Sequence, residues 1–280
     1  DGIRVGHGVQ VSQGRGAPVI YHAEGIVLRS QPFGEADRII TLLTRPEGKV
    51  RAVARGVRRT RSRLMGSTQL FTYGSYLLVR GRSDLETLSQ GEIRESLRRL
   101  REDLDLMAYA SYACELVDRM MVEREPDEFV FGLVLAVLRQ MEAGSPPFGL
   151  VRYLELALLD RLGYRPELDG CLRCGKAWSP GNGWGIDGEA GGLICPECGT
   201  APTVRRLSPG AVESLRRMRS LPAERAGVLR FSAETAREVR SALRDLLDAR
   251  IEGPLKTRAF LESLEAAPWK EANHGRAGSD

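Results

Sequence analysis

The first hundred residues of the chain alternate short apolar runs with polar and turn-forming residues, a pattern typical of β-strands. Five such runs lie at residues 25–28, 38–44, 49–55, 70–79 and 85–88. The run at 49–55 alternates basic with small apolar residues, so one side of that strand should carry the charges. Because a closed barrel leaves no exposed strand edge, five short strands in this span favour a small barrel.

From about residue 95 onward, apolar residues recur at helical spacing instead. Helices are predicted over residues 104–121, 133–141 and 148–162, with two more beginning near Ser208 and Ser232. Both serines are suitable N-caps. Between these helical blocks, residues 166–204 are rich in Gly, Pro and Cys and have no periodicity. Such a segment needs a cross-link, such as a bound metal or a disulfide, to be ordered.

These patterns predict an α+β protein in several parts. A small N-terminal β-barrel should be followed by an α-helical domain with an inserted segment that carries four cysteines. The limits are a flexible extension at 1–19, the barrel at 20–96, helical parts at 97–165 and 205–265, the insertion at 166–204, and a flexible tail at 266–280.

The positions of the charged residues along the chain say more about function than the net charge does. The 280 residues carry a formal net charge of only +4, but basic residues concentrate between residues 45 and 63, where only Glu47 is acidic. Such a density indicates phosphate contacts and hence nucleic acid, with a merely solvated surface as the alternative. The candidate DNA-binding residues are Lys49, Arg51, Arg55, Arg58, Arg59, Arg61 and Arg63.

Three aromatic residues near the basic run offer a second kind of contact. Phe71, Tyr73 and Tyr76 could stack on bases, as aromatics of OB folds often do on single strands. Their position on an apolar strand favours core packing for most of them.

Several function classes are disfavoured. No stretch approaches the roughly 18 consecutive apolar residues that a membrane-spanning helix needs, so we expect no membrane partner. His7, His22 and His274 lie far apart, and no catalytic triad or acid–base pair is visible, so we expect neither an enzyme nor a small-molecule substrate.

Four of the five cysteines form two CxxC pairs, Cys171 with Cys174 and Cys195 with Cys198. This spacing is typical of zinc ribbons, although a redox or disulfide pair is an alternative. No secretory signal is visible near the N-terminus, which favours metal. A shell of four thiolates leaves no open position, so we expect one structural Zn²⁺ rather than a catalytic one. The fifth, Cys114, is expected to be a small buried residue on a helix.

The order of the motifs resembles the RecO family of recombination mediators along nearly the whole folded chain. The matching stretches are residues 24–28, 34–37 and 44–48, the arginine-rich run, residues 162–164, the paired CxxC motifs and residues 255–261. Apart from the cysteines these motifs are individually weak, and their order carries the resemblance.

The resemblance implies an N-terminal OB-fold β-barrel that binds DNA, followed by an α-helical domain with an inserted four-cysteine zinc-binding segment. It implies a DNA repair protein that binds single- and double-stranded DNA and anneals complementary strands. It also implies help in loading recombinase on strands coated by single-stranded DNA-binding protein (SSB), partnership with RecR, and a cytoplasmic, nucleoid-associated location in bacteria. By position, the arginine-rich run would contact DNA and the four paired cysteines would hold zinc. Since some members lack the cysteines, the metal would be architectural.

Two other classes of function are alternatives. An RNA-binding translation or transcription module could also combine a barrel with a zinc ribbon. A zinc-dependent nucleic-acid enzyme would need a displaced cysteine ligand or nearby His and Glu groups, and neither is visible.

Overall fold

The computed structural model describes residues 18–266, which form two compact units. The barrel unit holds the described residues up to Leu97 together with Met121–Glu128, and the helical unit holds Arg98–Met120 and the residues from Phe129 onward. The predicted α+β class is confirmed. No helix within residues 18–266 is long and apolar enough to cross a membrane. The predicted flexible ends lie almost wholly outside the described residues.

Five strands close the barrel unit in the order β1-β2-β3-β5-β4. They are β1 (Val19–Phe33), β2 (Asp37–Thr44), β3 (Gly48–Ala54), β4 (Tyr73–Arg80) and β5 (Glu86–Glu95). β3 and β5 pair in parallel, all other neighbours are antiparallel, and the pairing of β1 with β4 completes the ring. This topology is that of an OB-like barrel, as the sequence predicts.

Alternation along the strands divides the barrel into an inner and an outer surface. Ile40 and Leu42 on β2 and Val50, Ala52 and Ala54 on β3 all point inward and are buried. The residues between them point outward, which is where the charges of β3 lie.

A segment that follows the second helix covers one end of this outer surface. In Met121–Glu128, the backbone N–H of Arg124 donates to the carbonyl of Lys49 at 3.0 Å, and Glu123 bridges the same strand. The domain boundaries predicted from the sequence include this segment in the helical domain, whereas its contacts group it with the barrel. The other domain limits stay predictions.

The helical unit is built around one buried helix. Its helices are α1 (Arg99–Glu102), α2 (Leu104–Met120), α3 (Glu128–Glu142, of which Glu128 groups with the barrel), α4 (Pro147–Arg161), α5 (Pro209–Ser220), α6 (Ala233–Asp248) and α7 (Arg258–Ala266), with a 3₁₀ helix at Ala223–Val228. Almost all of α4 is buried, and it packs against α2, α5 and α6. The hydroxyls of Ser208 and Ser232 accept backbone N–H bonds at the starts of α5 and α6, so both predicted N-caps are confirmed.

The insertion belongs to the helical unit and forms a small sheet of its own. Strands β6 (Gly185–Asp187), β7 (Gly192–Ile194) and β8 (Val204–Arg206) pair antiparallel in the order β7-β6-β8. Arg205 of β8 forms a charge-assisted hydrogen bond of 2.9 Å to Asp245 of α6. The sheet is therefore attached to the helices by a polar contact.

The covering segment predicts a difference between two glycines. Gly48 and Gly34 have φ angles of 65° and 59°, where an L side chain is strained. A Cβ at Gly48 would overlap the backbone of Glu125, whereas one at Gly34 meets nothing within 4 Å. We expect Gly48→Ala to cost about 3 kcal/mol of unfolding free energy and Gly34→Ala about 1 kcal/mol. Urea denaturation followed by circular dichroism measures both, and equal losses would contradict the covering role.

Candidate nucleic-acid interface and metal centre

The candidate interface is built on the segment that follows β3, residues 55–63, which we call the basic loop. Its beginning is fixed to the hairpin between β1 and β2. The backbone N–H of Gly56 donates to Oδ1 of Asp37 at 2.7 Å, and that of Arg58 donates to the carbonyl of Ala36 at 2.9 Å. These bonds hold the loop in place while its arginine side chains face solvent and Val57 packs into the barrel core.

Six arginines on β3 and the basic loop are exposed. They are Arg51, Arg55, Arg58, Arg59, Arg61 and Arg63. Among the residues that the structure describes, none of the six forms an ion pair with a carboxylate. Arg58 makes a side-chain hydrogen bond of 3.3 Å, to the carbonyl of Gly34. The positive potential of this surface is therefore not cancelled by direct partners.

The nearby acids are engaged by other arginines. Glu24 pairs with Arg45 at 3.3 Å, so Arg45 is neutralised although it begins the basic run in sequence. Glu86 is buried and pairs with Arg80 at 3.2 Å and with Arg124 at 2.8 Å. Charge is thus separated within the barrel unit, with ion pairs in one region and unpaired guanidinium groups in another.

Strand register shows which side chains share the outer surface near the basic loop. Residues directly opposite each other in antiparallel strands project from the same face. The rows across the three strands are Arg29–Thr41–Arg51 and Gln31–Ile39–Val53, with Phe33 opposite Asp37 at the hairpin end. We call this outward surface of β1, β2 and β3 the open face. With strands about 4.8 Å apart, Arg29 and Arg51 flank Thr41 at a spacing of about 10 Å.

Lys49 does not share the exposure of the six arginines. Its side chain is 9% exposed because Met121–Glu128 covers that end of the strand. We therefore leave Lys49 out of the phosphate contacts proposed below.

The three aromatics near the basic run are core residues. Phe71, Tyr73 and Tyr76 are all buried, so their predicted core packing is confirmed. The Tyr76 hydroxyl donates to the carbonyl of Ser67 at 2.8 Å, which ties the end of the long β3–β4 connection to the core.

Sequence reasoning missed Arg29 and Phe33 of β1, both of which are exposed on the open face. The alternation of residues 29, 31 and 33 was a usable signal for a shared face. The sequence did not indicate that the strand extends as far as Phe33, beyond the predicted run at 25–28.

The two CxxC pairs come together as the sequence predicts. Their four sulfur atoms lie within 4.8 Å of one another. Cys171 and Cys195 are buried, Cys198 is half-buried and Cys174 is exposed, so the cluster lies at the surface of the insertion. Four sulfurs at this spacing are compatible with a tetrahedral metal centre.

Backbone bonds shape both cysteine turns. The N–H of Gly175 donates to the Cys171 carbonyl, and the N–H of Gly199 donates to the Cys195 carbonyl, each at 2.9 Å. Gly175 has a positive φ of 73°, which a residue with a side chain rarely adopts. Gly199 does not have a positive φ, so only the first turn needs a glycine for this reason.

Four thiols this close cannot all ionise without a cation, because each thiolate raises the pKa of its neighbours. Burial raises the pKa of Cys171, but backbone N–H groups, chiefly those of Cys195 and Cys174, outweigh it and lower that pKa to about 6. Burial raises the pKa of Cys195 to about 12. A bound divalent cation would remove this conflict by stabilising all four thiolates.

Cys114 lies apart from this cluster. It is fully buried on α2, and burial raises the pKa of its thiol to about 12. It is therefore the small buried residue on a helix that the sequence predicts, and its raised pKa makes the thiol unreactive.

By fold and site, the chain is an OB-like barrel protein with a candidate metal centre in its helical unit. Two family models match it. The model described as "Recombination protein O N terminal" matches residues 19–97, and the one described as "Recombination protein O C terminal" matches residues 101–259.

Curated relatives cover most of the chain. The DNA repair protein RecO of Symbiobacterium thermophilum is 45% identical over 251 residues, which is 89% of this chain and 99% of the relative. The proteins of the same name from Bacillus subtilis and Bacillus pumilus are 36% and 35% identical, over 87% and 89% of this chain and 94% and 96% of their own lengths. The chain therefore belongs to the RecO family of DNA repair proteins, which confirms the resemblance.

The cysteine cluster predicts a metal-dependent insertion. Purified protein should carry about one metal ion per chain, and Cys195→Ser should lose it, because removing one thiolate opens the shell. Residues 166–204 should then lose protection against hydrogen exchange, while the barrel unit keeps it. Elemental analysis and hydrogen exchange measure the two effects.

The matched control is Cys114→Ala, which removes a thiol outside the cluster and should leave the metal content unchanged. Protein prepared without chelator that contains no metal would contradict the assignment, as would full metal content in Cys195→Ser.

Proposed function

We propose that this chain is a DNA-binding recombination mediator whose exposed arginines contact the phosphates of single- and double-stranded DNA. The observation that carries the proposal is the set of six exposed arginines without ion pairs on β3 and the basic loop. A guanidinium group without an ion-pair partner can bind a phosphate, because two of its N–H groups can donate hydrogen bonds to two phosphate oxygens at once. The phosphate contacts position the strand and do not select its sequence.

The mediator role follows from membership of the RecO family together with this surface. A protein that neutralises the phosphates of two complementary strands lets them meet, so annealing needs no chemical step. We propose that the chain anneals strands and helps to load recombinase on DNA coated by SSB, with RecR as a partner and without enzymatic activity. Such work belongs in the cytoplasm of a bacterium, at the nucleoid.

We propose that the ion of the cysteine cluster is Zn²⁺ and that its role is structural. Four thiolates are a soft, tetrahedral ligand set that selects Zn²⁺ over the hard cations. Full coordination by protein leaves no position for water or substrate. The ion would order residues 166–204, whose three-residue strands are too short to fold by themselves.

The proposal predicts the effect of removing four charges from the basic loop. Replacing Arg58, Arg59, Arg61 and Arg63 together by Ala should abolish most DNA binding and annealing. If about four phosphate contacts disappear, the salt dependence for single-stranded DNA should flatten by about 3, at roughly 0.7 per contact. Fluorescence anisotropy over a salt series measures affinity and slope on one sample.

A control for net charge replaces four exposed arginines elsewhere. Arg82, Arg217, Arg225 and Arg237 are exposed and form no ion pair within the described part of the chain. Their replacement by Ala should preserve most of the affinity and the slope. Equal losses in the two variants would mean that total charge, and not the basic loop, binds DNA. An RNA oligonucleotide of the same sequence, used as competitor, tests the RNA-binding alternative.

Annealing should proceed without ATP and should need stoichiometric protein, because charge neutralisation is a property of the bound complex and is not repeated by turnover. The assay follows the joining of two labelled complementary strands as protein is titrated with and without ATP. A requirement for ATP hydrolysis by this chain alone, or full annealing at catalytic amounts of protein, would contradict the mechanism.

A further inference from the structure

The hairpin between β1 and β2 presents an aromatic side chain to solvent. The barrel unit has five aromatic residues in its described part, Tyr21, Phe33, Phe71, Tyr73 and Tyr76. Phe33 is 47% exposed, whereas the other four are buried or half-buried. The ring of Phe33 is therefore the one aromatic face of this part of the barrel that is open to a ligand.

The same hairpin anchors the basic loop. The hydrogen bonds of Gly56 and Arg58 described above end on Asp37 and Ala36, and the Arg58 side chain reaches the carbonyl of Gly34. Phe33 immediately precedes this turn and pairs with Asp37. Phe33 and the beginning of the basic loop are thus attached to the same turn, so a ligand bound along the loop can reach the ring.

Phe33 also continues a line of polar side chains along its strand. Arg29, Gln31 and Phe33 occupy every second position of β1 and therefore share the open face. A guanidinium group and an amide thus precede the ring along the strand. Glu35, in the turn between β1 and β2, is exposed and acidic, so its charge would repel a phosphate backbone from that position.

We propose that Phe33 stacks on an unpaired base of a single strand whose phosphates lie along the basic loop. The assignment rests on the proposed DNA-binding function and extends it by naming the part of the ligand that is recognised. Positive charge beside an exposed ring fits a ligand that has both phosphates and unstacked bases. Single-stranded nucleic acid is such a ligand. A duplex offers the same phosphates, but its bases are already stacked.

The test compares DNA binding by variants of the full-length chain. Phe33→Ala should weaken binding to oligothymidylate by about tenfold, within the range measured for stacked aromatics, and should change duplex affinity by less than about twofold. Phe33→Leu keeps most of the apolar surface without the π-face and should lose nearly as much. Phe33→Trp should retain affinity, and its added fluorescence should be quenched by the single strand.

Two controls separate the possible failures. Ile20→Ala removes an exposed apolar side chain from the other end of β1 and should leave binding unchanged. An abasic strand keeps its phosphates, so wild-type protein should bind it as weakly as Phe33→Ala binds oligothymidylate.

Three outcomes would overturn the stacking role. They are unchanged binding by Phe33→Ala, full affinity in Phe33→Leu, and equal losses on single-stranded and duplex DNA, which would make Phe33 a support for the loop or a contact for a protein. If wild-type protein binds neither kind of DNA, the proposed function itself fails.

Discussion

Closure of a five-stranded barrel imposes a strict division of side chains, and the features of the barrel unit depend on it. Every second residue of a strand must fill the interior, so Val50, Ala52 and Ala54 occupy the core and Arg51 cannot. The charges of β3 are placed on the outer surface by this alternation and need no further device. The turn to which the basic loop is bonded is likewise set by the pairing of β1 with β2.

The second organising feature is the separation of paired from unpaired charge. Glu24 and Glu86 are held by arginines of other strands and segments, so these acids are not available to neutralise the basic loop. Ion pairs near a surface contribute little to stability. Their main effect here is on the electrostatic potential, which stays positive where arginines have no acidic partner. What distinguishes this surface is its lack of acidic partners more than its number of arginines.

The sequence predicted those features that depend on contacts between residues close together in the chain. The CxxC spacing predicted the two cysteine turns because each pair lies within one turn, whereas the meeting of the two pairs depends on how the insertion folds. The N-caps at Ser208 and Ser232 depend on three-residue contacts. Lys49 was different, because its burial depends on a segment more than seventy positions away. The exposure of Phe33 was equally hard to foresee, since it depends on where the hairpin turns and on which neighbours leave the ring open.

The path of the chain through the barrel unit has a consequence for how the protein is made. Met121–Glu128 contributes to this unit but is synthesised only after the whole of α2. As the nascent chain leaves the ribosome, the five strands can pair while the end of β3 at Lys49 still lacks its cover. The barrel is therefore completed only after α2 has been synthesised, and a fragment that stops at Leu97 would correspond to the earlier stage, with the backbone carbonyl of Lys49 left to water.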